Sequence, residues 1–141
     1  MNKFAIAAVA AAALLGSAGA AMATPDGDYT ITNYGSVPVS AVANTLPSPT
    51  GFGAAAAGGG TATGNASTAS TVLSGTVIYA NASQTAGCAY TTTVYLSSGK
   101  YQFSLTAAPY PAGATTTCNA VFGYKDTSLG WYSVNANMSG F

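Results

Sequence analysis

The side chains with which this sequence can do chemistry are few enough to name. Apart from Lys3 near the start, the charged residues are Asp26, Asp28, Lys100, Lys125 and Asp126, and the chain has no Arg, Glu or His. Nucleophilic hydrolysis needs a base beside Ser, Thr or Cys, and acid–base work needs His or placed carboxylates. Asp26 and Asp28 stand near the start of the mature chain, and turn chemistry accounts for Asp126 beside Lys125. The composition argues against an enzyme, and no catalytic residue or cofactor is expected. Asp26-Gly27-Asp28 lacks the further acidic residues of a Ca²⁺ loop, so no metal site is expected there either.

The cysteines carry the remaining chemistry. Cys88 and Cys118 are the only pair, and their spacing is unlike C-x-x-C. With no His to complete a metal site, a structural disulfide is the expectation, provided the chain reaches an oxidising compartment. The N-terminus supplies that route. Lys3, an Ala-rich apolar run from Phe4 to Leu15, and Ala21-Met22-Ala23 before Thr24 follow the order of a secretory signal. The run falls short of the ~20 residues that a membrane span needs. Residues 1–23 are therefore read as a cleaved signal peptide, with Ala18-Gly19-Ala20 a second cleavage signal, and the protein as exported. Extracellular space, cell surface and periplasm all fit, and no membrane span remains after cleavage.

Beyond the leader, two Lys against three Asp leave a net charge of −1. There is no basic patch to neutralise phosphates, which excludes nucleic acid as a partner. A near-neutral surface also has little self-repulsion, so association is either a hazard or the purpose.

Alternation of apolar and polar residues recurs along 24–141, which is read as one domain, and no helical period competes with it. The N-terminal strand, within 24–46, alternates over Asp28–Val42, with Pro38 placing it at an edge or breaking it. Residues 47–70 are almost wholly Pro, Gly, Ala, Ser and Thr, too small to offset chain entropy, and read as a linker or long loop. The β-rich core, 71–141, follows. Its inward faces read Leu73, Val77 and Tyr79; Cys88, Tyr90 and Val94; Tyr101, Phe103 and Leu105; Cys118, Ala120, Phe122 and Tyr124; then Tyr132, Val134, Ala136 and Met138.

The cysteines test this arrangement. In a flat meander their strands would lie two spacings apart, roughly 9.5 Å. A disulfide needs Cα atoms within about 7 Å. The expected fold is therefore an all-β, antiparallel β-sandwich of six to seven strands with facing sheets joined by one disulfide.

Two uses of such a fold remain. Trp131, Tyr34 and Tyr95 lie on faces opposite the apolar ones, as a sugar-stacking platform requires, although strands favour aromatics anyway and cross-strand pairing accounts for most of them. The segment with Tyr29, Ile31, Gly35, Val37 and Val39 on one face could either complete its own sheet or enter a neighbour's. In that organisation (exported, β-rich, one disulfide, alternating terminal strands) the chain resembles pilus subunits assembled by a chaperone and usher. The cysteine positions and C-terminal pattern differ, so no family is assigned. Outer-membrane barrels fail on register, because Ser139, Asn137, Asn135 and Ser133 are in phase with Phe141. Thr91-Thr92-Thr93 and Thr115-Thr116-Thr117 lack the fixed repeat that an ice-binding array would show. The sequence favours a secreted or cell-surface structural or adhesive protein, a self-associating fibre subunit. The alternative is a monomeric secreted module that recognises surface glycans through exposed aromatics.

Overall fold

The computed structural model describes residues 22–141, so the expected signal peptide, apart from Met22 and Ala23, lies outside the described residues. The described chain is all β: β1 (Asp26–Asn33), β2 (Ser40–Asn44), β3 (Thr50–Gly51), β4 (Gly60–Ser67), β5 (Val72–Ala80), β6 (Gly87–Ser97), β7 (Lys100–Tyr110), β8 (Thr117–Lys125) and β9 (Trp131–Ser139). They form two facing sheets, ordered β3-β4-β1-β9-β8 and β2-β5-β6-β7. Every pair is antiparallel except β1 with β9, which runs parallel.

Period-two alternation decides which side chains face inward. In β1, Gly27, Tyr29, Ile31 and Asn33 are buried, while Asp26 and Asp28 point to solvent. Tyr132, Val134, Ala136 and Met138 of β9 lie beside them, and Leu73, Val77, Tyr79, Tyr90 and Val94 face them from the other sheet. The buried Tyr29 and Tyr132 hydroxyls satisfy each other at 2.8 Å. Asn33 is fully buried yet paired: its amide donates to the Val37 and Ala55 carbonyls and its oxygen accepts from Gly35 N–H. Those bonds shape the bend after β1, and the chain then crosses to the second sheet as β2.

The segment 47–70 departs from the expectation of a linker, because it holds β3 and β4. Thr61-Ala62-Thr63-Gly64-Asn65-Ala66-Ser67 alternates strictly, with Ala62 and Ala66 buried and the polar residues outward. Small side chains suffice there because aromatic rings fill the space above them. Phe52 lies on Gly64, and the same pairing recurs with Tyr132 on Gly27, Phe141 on Gly35 and Tyr101 on Gly130. These two strands, with β2 separated from β1, account for nine strands rather than six or seven.

The segment expected to be a candidate for strand exchange is committed to its own domain. β1 sits inside its sheet, bonded to β4 on one side and β9 on the other. Tyr29 and Ile31 are core residues, Val39 is buried and bridged to Ala55, Gly35 lies under Phe141, and Val37 is on the exposed bend. Pulling such a strand out would open the middle of the sheet, so it is not a spare strand.

Cys88 of β6 and Cys118 of β8 form the disulfide, with Cα atoms 5.8 Å apart on facing sheets. The link closes a loop with a sequence separation of 30, a constraint worth about 2–4 kcal/mol. Replacing both cysteines by Ala should lower unfolding stability by about that amount in denaturant melts. An unchanged midpoint would show that the sheets hold without the link.

The ring-on-glycine packing makes a second prediction. Ala in a strand is ordinarily better than Gly by about 0.5–1 kcal/mol. At Gly27 a Cβ would stand inside the Tyr132 ring, whereas at Gly53 it would meet nothing within 4 Å. Gly27→Ala should therefore destabilise by about 1–3 kcal/mol, while Gly53→Ala leaves the melting temperature nearly unchanged. Equal effects would disprove the packing role.

Candidate functional site

The outer face of the five-stranded sheet gathers the groups that the composition makes scarce. The parallel register of β1 on β9 sets Asp26 beside Trp131 and Asp28 beside Ser133. On the other flank the antiparallel register brings Asn65 of β4 against Asp28. The Asn65 amide donates to Asp26 Oδ1 at 2.7 Å and to Asp28 Oδ1 at 3.1 Å, fixing both carboxylates on the surface. Burial pushes the Tyr132 hydroxyl beneath them well above its ordinary range, and its partner Tyr29 and the two carboxylates push it further the same way.

Tyr124 joins this face through a bulge. Plain alternation after Cys118, Ala120 and Phe122 would turn Tyr124 inward. Instead the register slips at Gly123, so that Phe122 opposes Val134 and Tyr124 opposes Ser133, an outward position. A bulge re-aims the residues that follow it. A Cβ at Gly123 would come 2.6 Å from Asn135 Nδ2 and 2.9 Å from Ser133 Oγ, so those two side chains would have to swing aside to admit one. Tyr124 is 51% exposed and Trp131 48% exposed.

The turn between β8 and β9 holds both aromatics. Asp126 Oδ1 accepts the Ser128 and Leu129 N–H groups at 2.8 and 3.0 Å, and Tyr124 Oη donates to Asp126 Oδ2 at 3.2 Å. Asp126 N–H donates to the Trp131 carbonyl at 2.8 Å, closing the turn at the base of the indole. Gly130 supplies the left-handed conformation (φ 76°) that lets the chain reverse. The two backbone donors, Leu129 first, hold the Asp126 carboxyl below its ordinary range.

Trp131, Tyr124, Asp26, Asp28 and Asn65 line an open groove of about 310 Å³. A second depression, of about 400 Å³, adjoins it through the shared Asp28 and Asn65 and runs over Thr30, Thr50 and Thr63. The result is a shallow track across the sheet with aromatic planes at one end and hydroxyls at the other. Such a track can stack a ring and offer hydrogen bonds along a chain.

The three aromatics expected to form a stacking platform are all exposed, but they do not come together. Tyr34 is 61% exposed at the bend after β1, the opposite end of that strand from Asp26 and Trp131. Tyr95 lies on the outer face of the other sheet, opposite Val72 and Gln102. Trp131 alone stays in the site. Sequence reasoning missed Tyr124, Asn65 and the use of Asp26 and Asp28; the isolated Gly123 inside an alternating run was the available signal for a bulge.

No family model matches this chain, and no curated protein matches it. Among solved structures, the wild-type lectin XCL from Xerocomus chrysenteron is similar, with a TM-score of 0.45 and 12% identity, over 81% of this chain and 99% of that one. Similarity at this level passes no binding property from that protein to this one.

The Asp126 turn gives a pH prediction. A carboxyl whose folded pKa is depressed stabilises its turn above the unfolded value and loses that contribution as pH falls through the folded one. The Ser128 and Leu129 amide resonances should titrate together, with a midpoint below the ordinary Asp value of about 3.9. Asp126→Asn should keep the turn, because an amide oxygen accepts the same two bonds, and Asp126→Ala should lose it. A midpoint at or above the ordinary value would refute the bonding pattern.

Proposed function

We propose that this chain is an exported, non-catalytic carbohydrate-binding module that holds a saccharide along the outer face of its five-stranded sheet. Trp131 and Tyr124 supply the stacking planes, and Asp26, Asp28, Asn65 and Ser133 supply the hydrogen-bonding edge. The observation that carries this reading is the Gly123 bulge, which turns Tyr124 outward to the strand position beside Ser133 and within one groove with Trp131. Aromatic side chains are amphipathic platforms that give contact area at low entropic cost. Fixed acceptors beside them set the orientation of a polar ligand.

Other features support the same reading. A disulfide between the sheets suits an extracellular or cell-surface setting. The fibre-subunit reading loses its main support, because β1 is an interior strand of its own sheet. A ligand that rests on an exposed, largely neutral sheet face is held by contact, which agrees with the scarcity of ionisable groups.

Titration calorimetry of the purified mature protein against a panel of soluble oligosaccharides tests the proposal. At least one neutral or amino sugar oligomer should bind. Trp131→Ala should weaken that binding by at least tenfold, about 1.4 kcal/mol, and Tyr124→Ala by a smaller factor. Tyr34→Ala and Tyr95→Ala should bind as the parent does. Binding that survives Trp131→Ala, or that depends on Tyr95, would overturn the assignment; so would a panel in which nothing binds.

A further inference from the structure

All three acidic side chains of this sequence stand around one groove. Asp26 and Asp28 line it, and Asp126 bonds the Tyr124 hydroxyl at its rim. The two lysines among the described residues are directed elsewhere. Lys125 Nζ sits over the Phe122 ring at 5.3 Å, and Lys100 starts β7 on the other sheet. Asp26 and Asp28 thus share a single neutral side-chain donor, the Asn65 amide, and neither described lysine is placed beside them. The remaining groove groups, Ser133, Thr30, Thr50 and Thr63, are neutral hydroxyls.

A neutral saccharide can donate its hydroxyls to these carboxylates, but it gains nothing from their net charge. Two carboxylates beside exposed Trp and Tyr planes are instead the complement of a cation that also has a flat apolar face. Aromatic faces attract cations through their quadrupole, and carboxylates reinforce that attraction. The same field disfavours uronic, sialic or sulfated sugars. Resting on the proposed saccharide site, we infer that its ligand class is the cationic amino sugars: oligosaccharides with free, protonated 2-amino groups. The ring stacks on Trp131 and Tyr124 while ammonium groups lie toward Asp26 and Asp28.

The test compares two oligomers of equal length, β-1,4-linked glucosamine and its fully N-acetylated counterpart, by calorimetry at pH 5.5 and low salt. The parent protein should bind the free amine at least tenfold more tightly. Raising the salt to about 1 M, where the screening length shrinks to about 3 Å, should bring the two affinities together. In the doubly substituted Asp26→Asn, Asp28→Asn protein, whose amide oxygens can still accept from Asn65, the ratio should fall to near one. Trp131→Ala should weaken both oligomers.

Equal affinities at low salt, or a preference that the double substitution leaves intact, would overturn the amino-sugar inference while the saccharide site stands. Binding of neither oligomer, with capture by poly-lysine alone, would overturn the inference and show a peptide cation in its place. No binding by any oligosaccharide removes both readings.

Discussion

One register governs both sides of the five-stranded sheet. With Asp26 opposite Trp131 and Gly27 opposite Tyr132, the parallel pairing of β1 on β9 fixes the core and the outer face together. Inside, the Tyr132 ring occupies the space over Gly27 and its hydroxyl meets that of Tyr29. Outside, the carboxylates stand next to the indole. A slip of one residue would send Asp26 and Asp28 into the core and Tyr29 and Ile31 into water. Burying two carboxylates without cations is costly enough to forbid that alternative. The charged residues of β1 therefore specify the fold as well as lining the groove.

The sandwich itself was legible in the sequence where side chains were large. Leu73, Val77 and Tyr79, then Tyr90 and Val94, then Tyr132 through Met138 announce inward faces by period alone, and each is where the alternation puts it. The cysteine pair and the export signal predict the disulfide, and the facing sheets follow from it, since two cysteines on inward faces cannot meet in a flat meander. β4 was hidden by composition. Its Thr-Ala-Thr-Gly-Asn-Ala-Ser run alternates as strictly as any other, but Ala and Gly by themselves are too small to build a core. What makes them sufficient is a ring contributed by a distant residue, Phe52 over Gly64, and no local pattern shows that.

The site was less legible because it depends on an exception to the period. Counting by twos from Cys118 puts Tyr124 inside, and only the extra residue Gly123 brings it out. Likewise, exposure of Tyr34 and Tyr95 could be read from alternation, but their separation from Trp131 depends on which end of which sheet each occupies. Asn65 lay in the segment read as a linker, so its hold on Asp26 and Asp28 had no basis in sequence. Pairwise register across strands far apart in the chain decides these matters.

Placing part of the proposed binding face on β8 raises a mechanical question, because that strand is an edge with a single neighbour in its sheet. Edge strands fray, and a stacking residue that moves loses affinity to entropy. Here both ends of β8 are held. Near its start, Cys118 is bonded to β6 of the facing sheet. Past its far end, the Asp126 turn ties it to β9, and Phe122 packs edge-on against Phe103 and Tyr132 between. The disulfide lies away from the groove, at the opposite end of the strand from Tyr124, yet it limits the motion of the element that carries Tyr124. A covalent link between sheets thus steadies the edge strand that carries Tyr124 as well as the fold.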